Sequence, residues 1–61
     1  MQQVDINDLE KDDTVYYIPR HLPKTMQYAE KGHVSTIKNN RVWVRYNGPQ
    51  GNLTPIKDLY V

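Results

Sequence analysis

The sequence predicts an all-β domain: a small barrel of about five short antiparallel strands, with one helical or 3-10 turn near the C-terminus. Three observations predict it. Short stretches such as "TVYYI" and "RVWVR" are rich in β-branched and aromatic residues, as strands are. Turn-forming clusters, "KDD", "NN" and "NGPQGN", separate them. The register of residues 31 to 48 also asks for a bulge, the device by which small sheets curl.

A chain of 61 residues makes one domain, 1–61, and buries only roughly 60% of the surface its unfolded form exposes. With no Cys, neither a disulfide nor a thiolate metal site reinforces the core. The N-terminal "MQQVDINDLEKDD" is acidic and lacks an apolar run, so it is neither a signal peptide nor a membrane span. The expectation is a cytoplasmic protein that does not enter membranes, the complete product of a small reading frame beginning at Met1.

Residues 1–12 read as an N-terminal extension or turn. In "NDLE", Asn7 is placed to cap one helical turn, with Glu10 three residues on as a capping box requires. "KDD" then turns the chain into "TVYYIP", a strand that Pro19 closes. If Val15 and Tyr17 face inward, Tyr16 and Ile18 face outward or cover a neighbouring loop. Residues 20–31 lack a period of two and form the longest loop, with a helical turn at "MQYAE". That loop either carries contacts or lids the core through Leu22, Met26 and Tyr28.

"KGHVSTIKNNRVWVRYNG" reads as a hairpin about Asn39-Asn40, because Asn tolerates the positive φ that two-residue turns need. This register pairs Lys38 with Arg41, Ile37 with Val42 and Thr36 with Trp43. Alternation then separates Val42, Val44 and Tyr46 from Arg41, Trp43 and Arg45. Val34 falls on the wrong face for the core unless a bulge at Ser35-Thr36 restores it. After the "NGPQGN" loop comes a brief strand. Thr54-Pro55 then starts one helical turn, and "LYV" is extended again.

Gly32, Val34, Ile37, Val42 and Val44, in the order G-x-V-x-x-I-x-x-x-x-V-x-V, resemble the hairpin of SH3-like barrels of the KOW and Tudor type. With Val15 and Leu59, the resemblance extends from about residue 12 onward, and it is also similar to short SH3-like proteins encoded by phages and prophages. One departure is Asp12, where such domains often have Gly before Asp. The resemblance implies a binding module: many KOW domains contact RNA or ribosomal and transcription proteins, Tudor domains hold methylated side chains in aromatic cages, and SH3 domains hold proline-rich peptides.

No catalytic constellation is legible. Ser35 is the one serine, and His33 near it lacks a third partner. His21 and His33 without Cys are too few for a conventional zinc site, and "DINDLEKDD" lacks the Gly and closing Glu of a calcium loop. All three glycines are read as turn residues. No metal, cofactor or enzymatic activity is expected.

Charge is segregated. Five carboxylates between Asp5 and Asp13 face only Lys11, whereas six cations between Arg20 and Arg45 face only Glu30. This block makes either a basic face suited to phosphates or a set of solvated charges. The leading expectation is contact with nucleic acid, or a nucleic-acid-associated complex, through Lys38, Arg41, Trp43 and Arg45, residue types that pair with phosphates and stack on bases. The bland alternative packs Trp43 on Val34 or the long loop, covered by its arginines. A second functional expectation is a protein-interaction adaptor using Tyr16, Tyr28, Tyr46 and Tyr60 as a groove together with the 20–31 loop. A monomer, or at most a weak dimer, is expected because a five-strand barrel whose first strand has Pro19 at its end leaves few open edges.

Overall fold

Five antiparallel strands in one sheet, without any α-helix, make up the computed structural model, which describes every residue from Met1 to Val61. The strands are β1 (Thr14–Tyr17), β2 (Glu30–Lys38), β3 (Arg41–Arg45), β4 (Gly51–Thr54) and β5 (Leu59–Tyr60). Their spatial order is β4-β3-β2-β1-β5, and β4 and β5 do not pair, so the barrel-like sheet stays open. Three one-turn 3-10 segments punctuate it: η1 (Ile6–Asp8), η2 (Met26–Tyr28) and η3 (Ile56–Asp58).

The hairpin between β2 and β3 has the expected register. Lys38 pairs with Arg41, Ile37 with Val42 and Thr36 with Trp43; the register then shifts, and Val34 pairs with Val44. Ser35 is the bulged residue. Asn39 and Asn40 have φ of 53° and 61°, so both turn residues are left-handed, as a type I′ turn requires. The bulge returns Val34 to the inner face, where it is fully buried with Val42 and Val44.

These valines join Val4, Val15 and Leu59 in one core cluster. No helical layer covers the inner face. A flat sheet would leave that face wet, and β3 and β5 would lie about 14 Å apart across three strand spacings. Burial of all six side chains therefore requires the sheet to wrap around them.

Val4 belongs to a segment read as extension or turn. The N–H of Val4 donates to the Leu59 carbonyl at 3.1 Å, and Gln2 and Val61 exchange bonds of 3.1 and 2.8 Å. Residues 2–4 thus cover the free edge of β5 and carry Val4 into the core. The cap of η1 is Asp5 rather than Asn7: the Asp5 carboxylate accepts from the Asn7 N–H at 2.9 Å. Its lower sequence position suits the 3-10 turn, which begins at Ile6.

Ile18 is fully buried rather than outward, and its N–H donates to the Asp58 carbonyl at 3.0 Å. Strand alternation stops applying at Tyr17, where β1 ends. The long loop is held by Lys24, whose Nζ donates to the carbonyls of Pro19, Arg20 and Leu22, each at 2.9 Å. It is not a core lid throughout, since Met26 and Tyr28 are exposed.

Gly32 is not a turn residue. It lies inside β2 opposite Val15, and a Cβ there would meet Val44 Cγ1 at 2.5 Å and the Arg45 carbonyl oxygen at 2.9 Å. Only glycine lets the sheet approach itself this closely.

Val44 sits at the centre of this packing, paired with the residue beside the bulge. Val44→Ala is expected to lower stability by about 2 kcal/mol, in the range of buried aliphatic truncations, as a reduced midpoint in urea denaturation. A loss below about 0.5 kcal/mol would show that the valine cluster does not hold the sheet.

Candidate functional site

The outer face of the sheet collects the polar partners of the core residues. Alternation along β3 directs Arg41, Trp43 and Arg45 outward while Val42 and Val44 are buried. Trp43 lies between Thr36 on β2 and Leu53 on β4, its direct cross-strand partners, and is half-buried. Lys38 stands opposite Arg41 at the hairpin tip. The structure therefore brings Lys38, Arg41, Trp43 and Arg45 onto one face.

They are not equivalent. The molecule has two ion pairs, Arg20 with Asp58 at 3.0 Å and Arg45 with Asp12 at 2.6 Å. Together with Lys24 and its three carbonyls, these engage three of the six central cations. Lys31, Lys38 and Arg41 remain without a carboxylate partner. Arg45 is thus committed to the turn before β1, and its Nε is buried without a partner. That orphaned donor offsets what the pair contributes, so the Arg45–Asp12 contact positions the turn more than it stabilises it.

Asp12 occupies the turn position where the sequence resemblance leads one to expect glycine. Its φ is 73°, the left-handed conformation that glycine adopts freely. Its N–H donates to the Val34 carbonyl at 2.8 Å, and the Val34 N–H donates to the Asp13 carbonyl at 2.9 Å. The turn is stitched to the strand immediately before the bulge. Charge segregation was legible in the sequence; this particular pairing was not, because residues 12 and 45 are joined only by the fold.

The four tyrosines do not line one groove. Tyr16 and Tyr60 are cross-strand partners on β1 and β5. Tyr46 packs edge-on against Tyr17, with ring centroids 6.1 Å apart and an interplanar angle of 67°. The Tyr46 hydroxyl lies 2.9 Å from Thr54 Oγ1, which itself donates to the Asn52 carbonyl at 3.1 Å. The Thr54 proton being used there, Tyr46 is the donor to Thr54. Tyr28 is exposed on η2.

Two surface depressions were not anticipated. Asp5, Asp8 and Asp13 help line a cleft of about 410 Å³ on the N-terminal side. A groove of about 310 Å³ lies at the hairpin tip, among Asn40, Arg41, Leu53, Thr54, Pro55 and Ile56. Leu53 is 55% exposed despite its place in a strand. Alternation within "GNLT" opposes Leu53 to Thr54, but placing Leu53 beside Trp43 needs the β3–β4 register, which the 46–50 loop hides from sequence reasoning. His21 and His33 are both exposed, and no three His, Asp or Glu side chains converge as a metal site requires. No helix is long and apolar enough to cross a membrane.

Fold and surface together define a small all-β domain with a basic, partly aromatic outer face. No protein-family profile, curated protein or solved structure matches the chain.

Two expected outcomes concern this site. Burial pushes the Tyr46 phenol above its ordinary value; the Thr54 hydroxyl, able to turn and donate to a phenolate, opposes this, and the Glu30 charge adds to it. A raised folded value means the associated stability is intact below the unfolded value of about 10 and is lost as pH rises through the folded one. Denaturation midpoints should therefore fall above pH of about 10 more steeply in the wild type than in Tyr46→Phe. Equal slopes would remove Tyr46 from the alkaline transition. Asp12→Gly relieves a left-handed aspartate while breaking an exposed ion pair. Its stability in urea should stay within about 1 kcal/mol of wild type, and a larger loss would make the Asp12–Arg45 contact a principal support.

Proposed function

We propose that the protein is a non-enzymatic binding module that contacts nucleic acid, or a nucleic-acid-associated complex, through the outer face around the β2–β3 hairpin. One observation carries the reading: Lys38 and Arg41 stand directly opposite one another with no carboxylate partner. Like charges in that position destabilise a hairpin. A domain with so small a core retains them at a stability cost that a bound phosphate would reverse. Trp43, half-buried two residues along β3, adds a ring on which a base can stack.

The SH3-like reading belongs to the same proposal. A KOW- or Tudor-like barrel of the kind found in short phage and prophage proteins is compatible with five antiparallel strands and the bulged hairpin, although fold alone never specifies a ligand. In this reading the protein works in the cytoplasm as a monomer without a cofactor. Asp12 holds Arg45, so Lys38 and Arg41 are the principal phosphate ligands.

A protein partner is the second reading, favoured by Met26 and Tyr28, exposed together on η2. Salt separates the two. Phosphate binding weakens steeply with ionic strength, whereas an apolar contact changes little.

The test is titration of a fluorescently labelled short oligothymidylate at low salt, read by anisotropy. Binding at micromolar concentrations is expected. Trp43→Ala should weaken it about tenfold, within the range of one base stack, while leaving circular dichroism unchanged. Replacing both Lys38 and Arg41 by Ala should reduce the slope of log affinity against log salt by about 1.4, two single-strand phosphate contacts. No binding at these concentrations would overturn the nucleic-acid reading and leave the protein adaptor.

A further inference from the structure

We propose that the groove at the hairpin tip seats one unpaired base, so that the ligand of this face is single-stranded rather than duplex nucleic acid. The inference rests on the nucleic-acid reading above and specifies its substrate class.

The groove forms where the Asn39-Asn40 turn meets the chain leaving β4. Leu53, Pro55 and Ile56 give it apolar walls, and Asn40 and Arg41, residues that carry a carboxamide and a guanidinium, border it. None of its lining residues is acidic. At about 310 Å³ it lies at the low end of small-ligand sites, about 300–1,000 Å³. It therefore suits a small flat group more than a helix or a folded surface.

A nucleobase matches this chemistry part by part. Its faces are apolar and stack on hydrocarbon or aromatic surface, and its edge carries the donors and acceptors that an Asn carboxamide pairs with. The phosphate that accompanies each base finds Arg41 at the groove and Lys38 directly across the hairpin, both free of carboxylates. Charge complementarity thus selects an anionic ligand, and the apolar walls select one with a flat uncharged part.

Continuity with Trp43 supplies a second argument. Leu53 lines the groove and is the cross-strand partner of Trp43. Neighbouring strands lie about 4.8 Å apart, so the Trp43 ring and the groove are adjacent stations on one surface. A strand crossing the tip would stack one base on Trp43 and place its neighbour against Leu53, Pro55 and Ile56. In a duplex both bases are paired and stacked inside the helix, and extracting one costs a few kcal/mol. A single strand presents them already exposed.

The experiment compares three labelled ligands of equal length: oligothymidylate, the same backbone without bases, and a duplex. They are tested against wild type, Leu53→Ser and Asn40→Gly. Leu53 is exposed, so its replacement leaves the core intact. Glycine at position 40 keeps the positive φ while removing the carboxamide. Leu53→Ser is expected to weaken oligothymidylate about tenfold and to leave the base-free strand unchanged. Asn40→Gly should act in the same direction with a smaller factor. Backbone amides of Asn40, Leu53 and Ile56 should shift in NMR spectra with oligothymidylate and not with the base-free strand.

Loss of affinity without bases that Leu53→Ser does not reproduce would place the only stacked base on Trp43 and overturn the groove. Duplex bound as tightly as single strand would overturn it too. Both results leave the nucleic-acid reading standing. Failure of all three ligands would remove both proposals, and a shift of the same amides by an acidic aliphatic peptide would give the groove to a protein partner.

Discussion

A single unpaired residue in β2 decides which side chains enter the core. Val34 and Ile37 lie an odd number of residues apart, so a regular strand directs them to opposite faces. Both are needed on the inner face, because the hairpin brings them against Val44 and Val42. Skipping Ser35 satisfies both pairings at once. A register slip would instead turn a whole set of strand side chains over and expose the valines. The bulge also adds local bend and twist, which the open sheet needs to wrap around its own inner face. The turn before β1 is then tied to the same place through the backbone of Val34, Asp12 and Asp13.

The rest of the molecule compensates for a core of few side chains. Six buried apolar residues make the cluster, with none larger than leucine. The N-terminal segment contributes Val4 and covers the β5 edge, and Asp58 organises the end of β1. That aspartate is buried yet bound to Arg20 through its carboxylate and to Ile18 through its carbonyl. Such ties satisfy polar groups that burial would otherwise leave uncompensated. They also account for half of the basic block: Arg20, Lys24 and Arg45 each hold a specific part of the chain.

What remains unpaired is therefore informative. Once those three cations are assigned structural partners, the free positive charge of the central block is Lys31, Lys38 and Arg41, two of which stand opposite one another at the hairpin tip. The apolar groove and Trp43 adjoin that tip. A basic composition spread along a chain says little about binding. A pair of cations set directly opposite one another beside exposed apolar surface is a narrower signal, since cross-strand like charges oppose each other.

Local physics made the hairpin legible. Asn39-Asn40 permits a left-handed turn, the turn sets the pairing, and the pairing forces the bulge; each step involves residues within about one hairpin length of each other. The outward row Lys38, Arg41, Trp43 and Arg45 followed from the same alternation. Tertiary structure alone decided the links between distant segments. Val4 enters the core only because residues 2–4 meet residues 59–61, and Gly32 proves indispensable only when Val44 and Tyr46 pack against it. Arg45 changes from a free cation to a partner of Asp12, and Leu53 becomes a groove wall, by register and loop path. Sequence periodicity says which face a side chain takes, but it holds no information about what the folded chain brings to that face.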